Sequence, residues 1–169
     1  MLEKIVVQEA YELSRDQIDK LIPLLIHVVE DGASIGFLPP LSEAEARGYW
    51  SHVSGEDVIV WIAKAGEEIV GTVQLHLCMK PNGSHRAEIA KLMVHPLHQR
   101  KGIGRMLMRA AIQRAAAENR SLVVLDTRDG DPSNLLYRSL GFVEAGRIPQ
   151  FARSADGVLD ATVIYYKLI

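Results

Sequence analysis

Residues 95–105 read His95-Pro96-Leu97-His98-Gln99-Arg100-Lys101-Gly102-Ile103-Gly104-Arg105. The run Ile89–Val94 leads into this stretch. An amphipathic pattern leads out of it, with Ile103, Met106, Leu107, Ala110 and Ala111 on one stripe and arginines opposite. The order is therefore strand, loop, helix. A helix start carries partial positive charge, so Arg100, Lys101 and Arg105 are electrostatically misplaced there unless an anion joins them. Exposed backbone N–H groups, two glycines and fixed cations together describe a site for a phosphorylated ligand.

Two other phosphate-binding plans fit this turn poorly. A dinucleotide fingerprint would place its third glycine at Leu107, and it needs a tighter turn than His95–Lys101 allows between Val94 and Gly102. It also needs a strand that opens a βαβ unit, whereas the preceding strand closes a hairpin; only Asp126, spaced for a ribose contact, favours it. A Walker loop fails because no Gly-Lys-Ser/Thr occurs.

Upstream, Lys4–Ala10 is a β-branched run that predicts a strand. Ile18, Leu21, Ile22, Leu25, Ile26 and Val29 have helical spacing over Asp16–Val29, and Pro23 predicts a kink or two shorter pieces. A loop follows over Asp31–Pro40, and Ser42 with Glu45 marks a capping box for a helix running to about His52. Val58–Ala65, Ile69–Met79 and Arg86–Val94 predict an antiparallel meander turning at Gly66-Glu67-Glu68 and Pro81-Asn82-Gly83. In its middle strand Gln74, His76 and Cys78 share one face.

Downstream, the helix ends near Asn119, and Leu122–Leu125 is a short apolar strand with Asp126-Thr127 at its carboxyl end. Asp131-Pro132 starts a last helix that Gly141 stops. Phe142–Phe151 and Ala161–Leu168 predict closing strands joined through Asp156-Gly157. The strand–helix–strand from Arg86 to Asp126 predicts a parallel crossover inside an otherwise antiparallel sheet. The fold class is α/β (α+β), with about seven strands and about four helices in a single domain over residues 1–169.

Composition narrows the ligand. The 169 residues are 48% hydrophobic and 24% charged, with formal net charge -2, so bulk binding to nucleic acid or an anionic membrane is not expected. The basic cluster is local and suits a small anion. One cysteine excludes an intrachain disulfide framework, and the scattered histidines lack His-x-x-x-His spacing, so no metal site is expected. No apolar stretch has membrane-spanning length and Met1-Leu2-Glu3-Lys4 does not open a signal peptide, which makes a cytoplasmic location the expectation.

Gln99-Arg100-Lys101-Gly102-Ile103-Gly104 fits the Q/R-x-x-G-x-G/A acetyl-CoA signature of the GCN5-related N-acetyltransferase (GNAT) superfamily. Leu136–Phe142, L-Y-R-S-L-G-F, resembles that superfamily's terminal tyrosine–helix–GF motif. DGASIGF, CMKPNG, AEIAKLMV, the LDT ending at Thr127 and the closing IYYK are similar to its tabtoxin-resistance branch, from about Asp31 onward. The resemblance implies a GNAT fold whose strands 4 and 5 splay apart around acetyl-CoA. It implies that backbone N–H groups of Gln99, Arg100, Lys101, Gly102, Ile103 and Gly104 wrap the pyrophosphate, with Arg105 in the same turn. Gly102 and Gly104 would then allow close approach, and Arg100 or Lys101 could meet phosphate oxygens. Leu92, Met93 and Val94 would offer main-chain groups to the pantetheine arm, pairing like an added strand.

Tyr137 is the candidate donor to a departing thiolate. Superfamily members commonly carry Asn six residues before this tyrosine; Asp131 stands there here, and Asn134 is the alternative contact. An amine with pKa near ~10 needs a base before it can attack. Glu88, on the strand entering the loop and by alternation on a face with Ala90, Leu92 and Val94, is one candidate. Asp126, at a strand end beside the splay, is the other, and the sequence ranks them equally. Asp31, Ser34, Phe37, Trp50, Gln74 and His76, with Lys91, are candidates for the acceptor pocket; two glycines make the Asp31–Phe37 loop a reasonable lid. The expected activity is acetyl transfer from acetyl-CoA to a small amine-bearing metabolite or amino-acid-like toxin. Protein N-acetylation and a non-catalytic acyl-CoA sensor are the alternatives, and a homodimer is the assembly to look for.

Overall fold

Ser14 and Ser42 each start a helix by the same device. Each side chain accepts from the N–H three residues on, while Gln17 and Glu45 reach back to the cap N–H. These two boxes begin α1 (Arg15–Glu30) and α2 (Glu43–Ser51) in a computed structural model that describes residues 4–169. The kink expected at Pro23 does not divide α1, which is one unbroken helix with Pro23 inside it. Pro23 is exposed between buried Ile22 and Leu24, so both of its flanks are held by packing against the core.

Seven strands form a single sheet in the order β1-β2-β3-β4-β5-β7-β6. They are β1 (Ile5–Ala10), β2 (Val58–Ala65), β3 (Glu68–Leu77), β4 (Arg86–Val94), β5 (Leu122–Arg128), β6 (Val143–Arg153) and β7 (Leu159–Leu168). All neighbours are antiparallel except β4 and β5. That parallel junction is bridged by α3 (Ile103–Ala117), and α4 (Ser133–Ser139) lies between β5 and β6. The architecture is the GNAT fold.

The sheet separates two cores. Val73, Leu75, Ala87, Ile89, Val123 and Leu125 pack with Leu107, Met108 and Ala111 of α3 and with Tyr137 of α4. On the opposite face Ile62, Ile69 and Met93 pack against Leu21, Leu25 and Trp50 of α1 and α2. Gly71 seats α3, since a Cβ there would lie 3.1 Å from Ile103 and Leu107 side-chain atoms.

A β-bulge changes the expected alternation in β4. Thr72 pairs with Met93 and Gln74 with Ala90, so Val73 alone stands against Lys91 and Leu92. Lys91 takes φ 56°, a left-handed value. Leu92 and Val94 therefore pack with the α3 core, alongside Ala87 and Ile89, and Met93 turns to the α1 side. Simple alternation put Glu88 on a face with Leu92 and Val94; the inserted residue moves those two to the other face. Glu88 instead pairs across with His76 on the α1 and α2 side.

Candidate active site

Only Arg86–Glu88 and Leu122–Val124 are in register across β4 and β5. Beyond Glu88 and Val124 no rung joins the strands, so Ile89–Val94 and Leu125–Arg128 diverge. This is the splay, and each strand keeps main-chain groups along it that pair with no neighbouring strand on that side.

The turn at its mouth is built for an anion. Arg100 and Gly102 both have positive φ, 63° and 80°, so the backbone folds into a concavity before Ile103. Helix α3 has no side-chain cap and no acidic residue in its first turn, and its first backbone bond runs from the Met106 N–H to the Gly102 carbonyl. The N–H groups of Ile103, Gly104 and Arg105 thus have no intrahelical acceptor. A Cβ on Gly102 would meet nothing within 4 Å, whereas one on Gly104 would sit 3.3 Å from Leu136 Cδ2. Gly102 keeps the mouth open, and Gly104 lets α3 lie close to α4. Lys101 Nζ donates to the Leu97 carbonyl at 3.1 Å and Arg105 Nη2 to Ser139 Oγ at 2.8 Å. Gln99 Nε2 reaches the Val94 carbonyl at 3.5 Å, and Arg100 has no hydrogen-bond partner among the described residues. These donors fit the pyrophosphate of a CoA-type ligand.

The two carboxylates flank the gap on one face of the sheet. Glu88 pairs with Val124 across the last rung, and Asp126 lies two residues further along β5. Asp126 Oδ2 accepts from Thr162 Oγ1 at 2.8 Å. His76 lies opposite Glu88 on β3, and its Nε2 is 2.9 Å from Gln74 Oε1. Gln74 Nε2 donates to the Tyr49 hydroxyl at 2.8 Å, so the amide oxygen must accept from His76 Nε2–H. Nδ1 is then the acceptor nitrogen of a neutral ring, and burial holds the imidazole below its ordinary proton affinity although Glu88 pulls the other way.

The loop over residues 31–37 is fastened from both splayed strands. Lys91 Nζ of β4 donates to the Ile35 carbonyl at 2.7 Å and lies 6.0 Å from the Phe37 ring centre. Arg128 of β5 donates to the Gly32 carbonyl at 2.9 Å, to Ser154 Oγ at 2.9 Å and to Asp131 Oδ1 at 3.0 Å. Nothing in the sequence marked Arg128, because its partners lie in three separate segments. Ser34 and Phe37 line a crevice beside Arg128 and Ser154. Asp31 faces a different concavity, with His27, Glu30, His95 and Leu97.

The acceptor-side expectation for Trp50 is corrected. Trp50 is 1% exposed, and its Nε1 donates to the Leu21 carbonyl at 3.1 Å, which makes it the staple between α2 and α1. Its neighbour Tyr49 instead carries a hydroxyl to Gln74 and packs edge-on against Phe37.

Tyr137 sits across the sheet from the carboxylates, in the α3 core between Phe142 and Tyr165. Burial, reinforced by Asp126 and Asp131, holds its phenol well above the ordinary range, so it remains protonated. Its hydroxyl makes no hydrogen bond among the described residues. Asn134 is committed to the loop before α4: Nδ2 donates to the Arg128 and Asp131 carbonyls, and Oδ1 accepts from the Tyr165 hydroxyl at 2.8 Å. Asp131 is engaged by Arg128. Cys78 follows the end of β3, packed beside Gly83. Among the described residues no group of three or more His, Cys, Asp or Glu could hold a metal ion, and no helix is long and apolar enough to cross a membrane.

Fold and site together define an α/β protein whose sheet opens between β4 and β5 beside a turn that could hold an anion. The chain belongs to the acetyltransferase (GNAT) family, which matches residues 15–142. It is 31% identical over 99 residues to N-acetyltransferase 8B of Rattus norvegicus, covering 57% of this chain and 45% of that protein. It is 37% identical over 91 residues to N-alpha-acetyltransferase 30 of Xenopus laevis, covering 53% and 33%. The chain spans less than half the length of these two curated relatives. The yncA protein of Salmonella typhimurium, solved with its cofactor acetyl-CoA, superposes with a TM-score of 0.79 at 17% identity, covering 97% of this chain and 93% of that one.

Proposed function

We propose that this chain transfers the acetyl group of acetyl-CoA to the primary amine of a small metabolite or amino-acid-like toxin. The observation that carries the reading is the pairing of an uncapped α3 N-terminus with the splayed β4 and β5, flanked on one face by Glu88 and Asp126. Bound acetyl-CoA supplies a thioester carbonyl as electrophile. The α3 N–H groups, with Arg100, hold its pyrophosphate, and the unpaired edge at Leu92–Val94 aligns its arm. Glu88 or Asp126 accepts the proton the amine releases as the C–N bond forms, and a main-chain N–H near Met93 takes the developing oxyanion. Tyr137 donates to the sulfur as the C–S bond breaks. No acyl group rests on the protein, because Cys78 lies away from the gap.

The tabtoxin-resistance likeness of the Asp31–Phe37 loop and of the segments after it supports a small acceptor. So do the two cations that fasten this loop beside the gap. A peptide N-terminus is the second reading, favoured by the relative named N-alpha-acetyltransferase 30. An amine and peptide library screened by free-thiol release from acetyl-CoA tests both. The expected result is turnover with a small amine and intersecting initial-rate patterns. Ping-pong kinetics or a trapped acetyl-enzyme overturns direct attack, and turnover confined to peptides overturns the small acceptor.

A further inference from the structure

Lys91 has no part in the transfer just described, yet the fold holds it in the groove under strain. Its backbone is left-handed inside the β4 bulge, a conformation that is strained for a residue with a Cβ. Its ammonium is partly buried, and desolvation lowers its proton affinity against the pull of Asp126 and Glu88. One N–H goes to the Ile35 carbonyl, which leaves two donors without a partner among the described residues. The two carboxylates are solvent-exposed and have donor-free oxygens as well. Glu88 makes no hydrogen bond or ion pair among the described residues, and Asp126 accepts only from Thr162.

One cation and two carboxylates therefore share a groove, close enough to feel one another and too far apart to form a salt bridge. Of the three, the Lys91 ammonium is the partly buried one, and a partly buried charge left without a counter-charge is costly unless a ligand completes it. Separated charges of opposite sign are complementary to a molecule with the reverse separation. Resting on the acetyl-transfer reading, we infer that the acceptor is a zwitterion, a free amino acid or close analogue, whose carboxylate binds Lys91 while its amine faces Glu88 and Asp126. Phe37, beside the ammonium, offers an apolar wall to the side chain. A peptide N-terminus lacks the neighbouring carboxylate, so the same lysine selects against it.

The test compares free amino acids with their carboxamides, which keep the amine and remove the anion. Acetyl transfer and equilibrium binding are both measured, in the natural protein and in Lys91→Gln, which keeps a donor for Ile35 and deletes the charge. Lys91→Arg serves as the rescue, and thermal unfolding of each variant checks the fold. The expected result is at least ~30-fold preference for the acids, lost in Lys91→Gln through acceptor KM, largely restored in Lys91→Arg, with acetyl-CoA KM unchanged. Equal use of acids and amides, or an equal loss for both in Lys91→Gln, overturns the inference and leaves acetyl transfer standing. Neither binding nor turnover of any amine by a protein that binds acetyl-CoA overturns both.

Discussion

Arg128 donates through Nη2 to the Gly32 carbonyl at 2.9 Å, tying β5 to the turn after α1. Lys91 makes the matching bond from β4 to Ile35, next to Gly36. The strands that diverge to form the gap thus both hold the loop beside it, at points adjoining two glycines with positive φ. Arg128→Met breaks three hydrogen bonds of a largely buried guanidinium. We expect a stability loss of about 1–3 kcal/mol and a several-fold rise in acceptor KM, with acetyl-CoA KM unchanged. Two unchanged Michaelis constants in a correctly folded variant count against a role for this tether.

Gly102→Ala puts a Cβ on a residue at φ 80°. The strain costs about 1–2 kcal/mol, and the methyl projects into open space at the helix mouth. Weakening of acetyl-CoA binding by about tenfold, equivalent to about 1.4 kcal/mol, is expected in calorimetry. Unaltered affinity would show that the pyrophosphate is held elsewhere.

Tyr137→Phe removes a hydroxyl with no partner among the described residues, so the melting temperature stays close to that of the natural protein. Turnover falls by about 10²-fold or more while acetyl-CoA affinity holds. Unchanged kcat would remove the phenol from the mechanism.

Glu88→Gln and Asp126→Asn separate the two candidate bases. The residue that takes the amine proton loses on the order of 10²–10⁴ in kcat, and the other mainly raises acceptor KM. Equal, small losses from both would point to a water relay, with neither carboxylate acting as the direct base.

His76 sets a pH limb for stability. Its folded-state proton affinity is lowered from the ordinary 6.5, so the unfolded chain binds the proton more readily. Stability contributed by the neutral ring is complete above pH 6.5 and is lost as pH falls through the lower folded value. Urea midpoints should decline with acidification, and His76→Asn should shallow that slope. His95, lowered in the same direction by burial and by His27 and His98, keeps part of it. An identical slope in the variant would exclude His76 as its source.

The sequence shows the element order because each strand and helix carries its own periodicity and caps. The anion turn is legible because glycines and cations fall within a few residues. What escapes local reading is geometry made between distant segments. No pattern announces that Lys91 takes a left-handed bulge, and without that fact the faces of Leu92 and Val94 come out reversed. Trp50 and Tyr49 are adjacent aromatics, and only the packing of α2 on α1 decides that the tryptophan goes inside. Asn134 looks available for a ligand until Tyr165 and two loop carbonyls are seen to occupy it.

The parallel seam between β4 and β5 has three rungs, Arg86–Glu88 against Leu122–Val124. Mechanically, the sheet is two leaves, β1–β4 and β5–β7–β6, stitched at one end. An extended ligand lying in the open part acts as additional stitching, so binding energy becomes stiffness of the whole sheet. Such a protein gains thermal stability with ligand concentration as RT ln(1 + [L]/Kd).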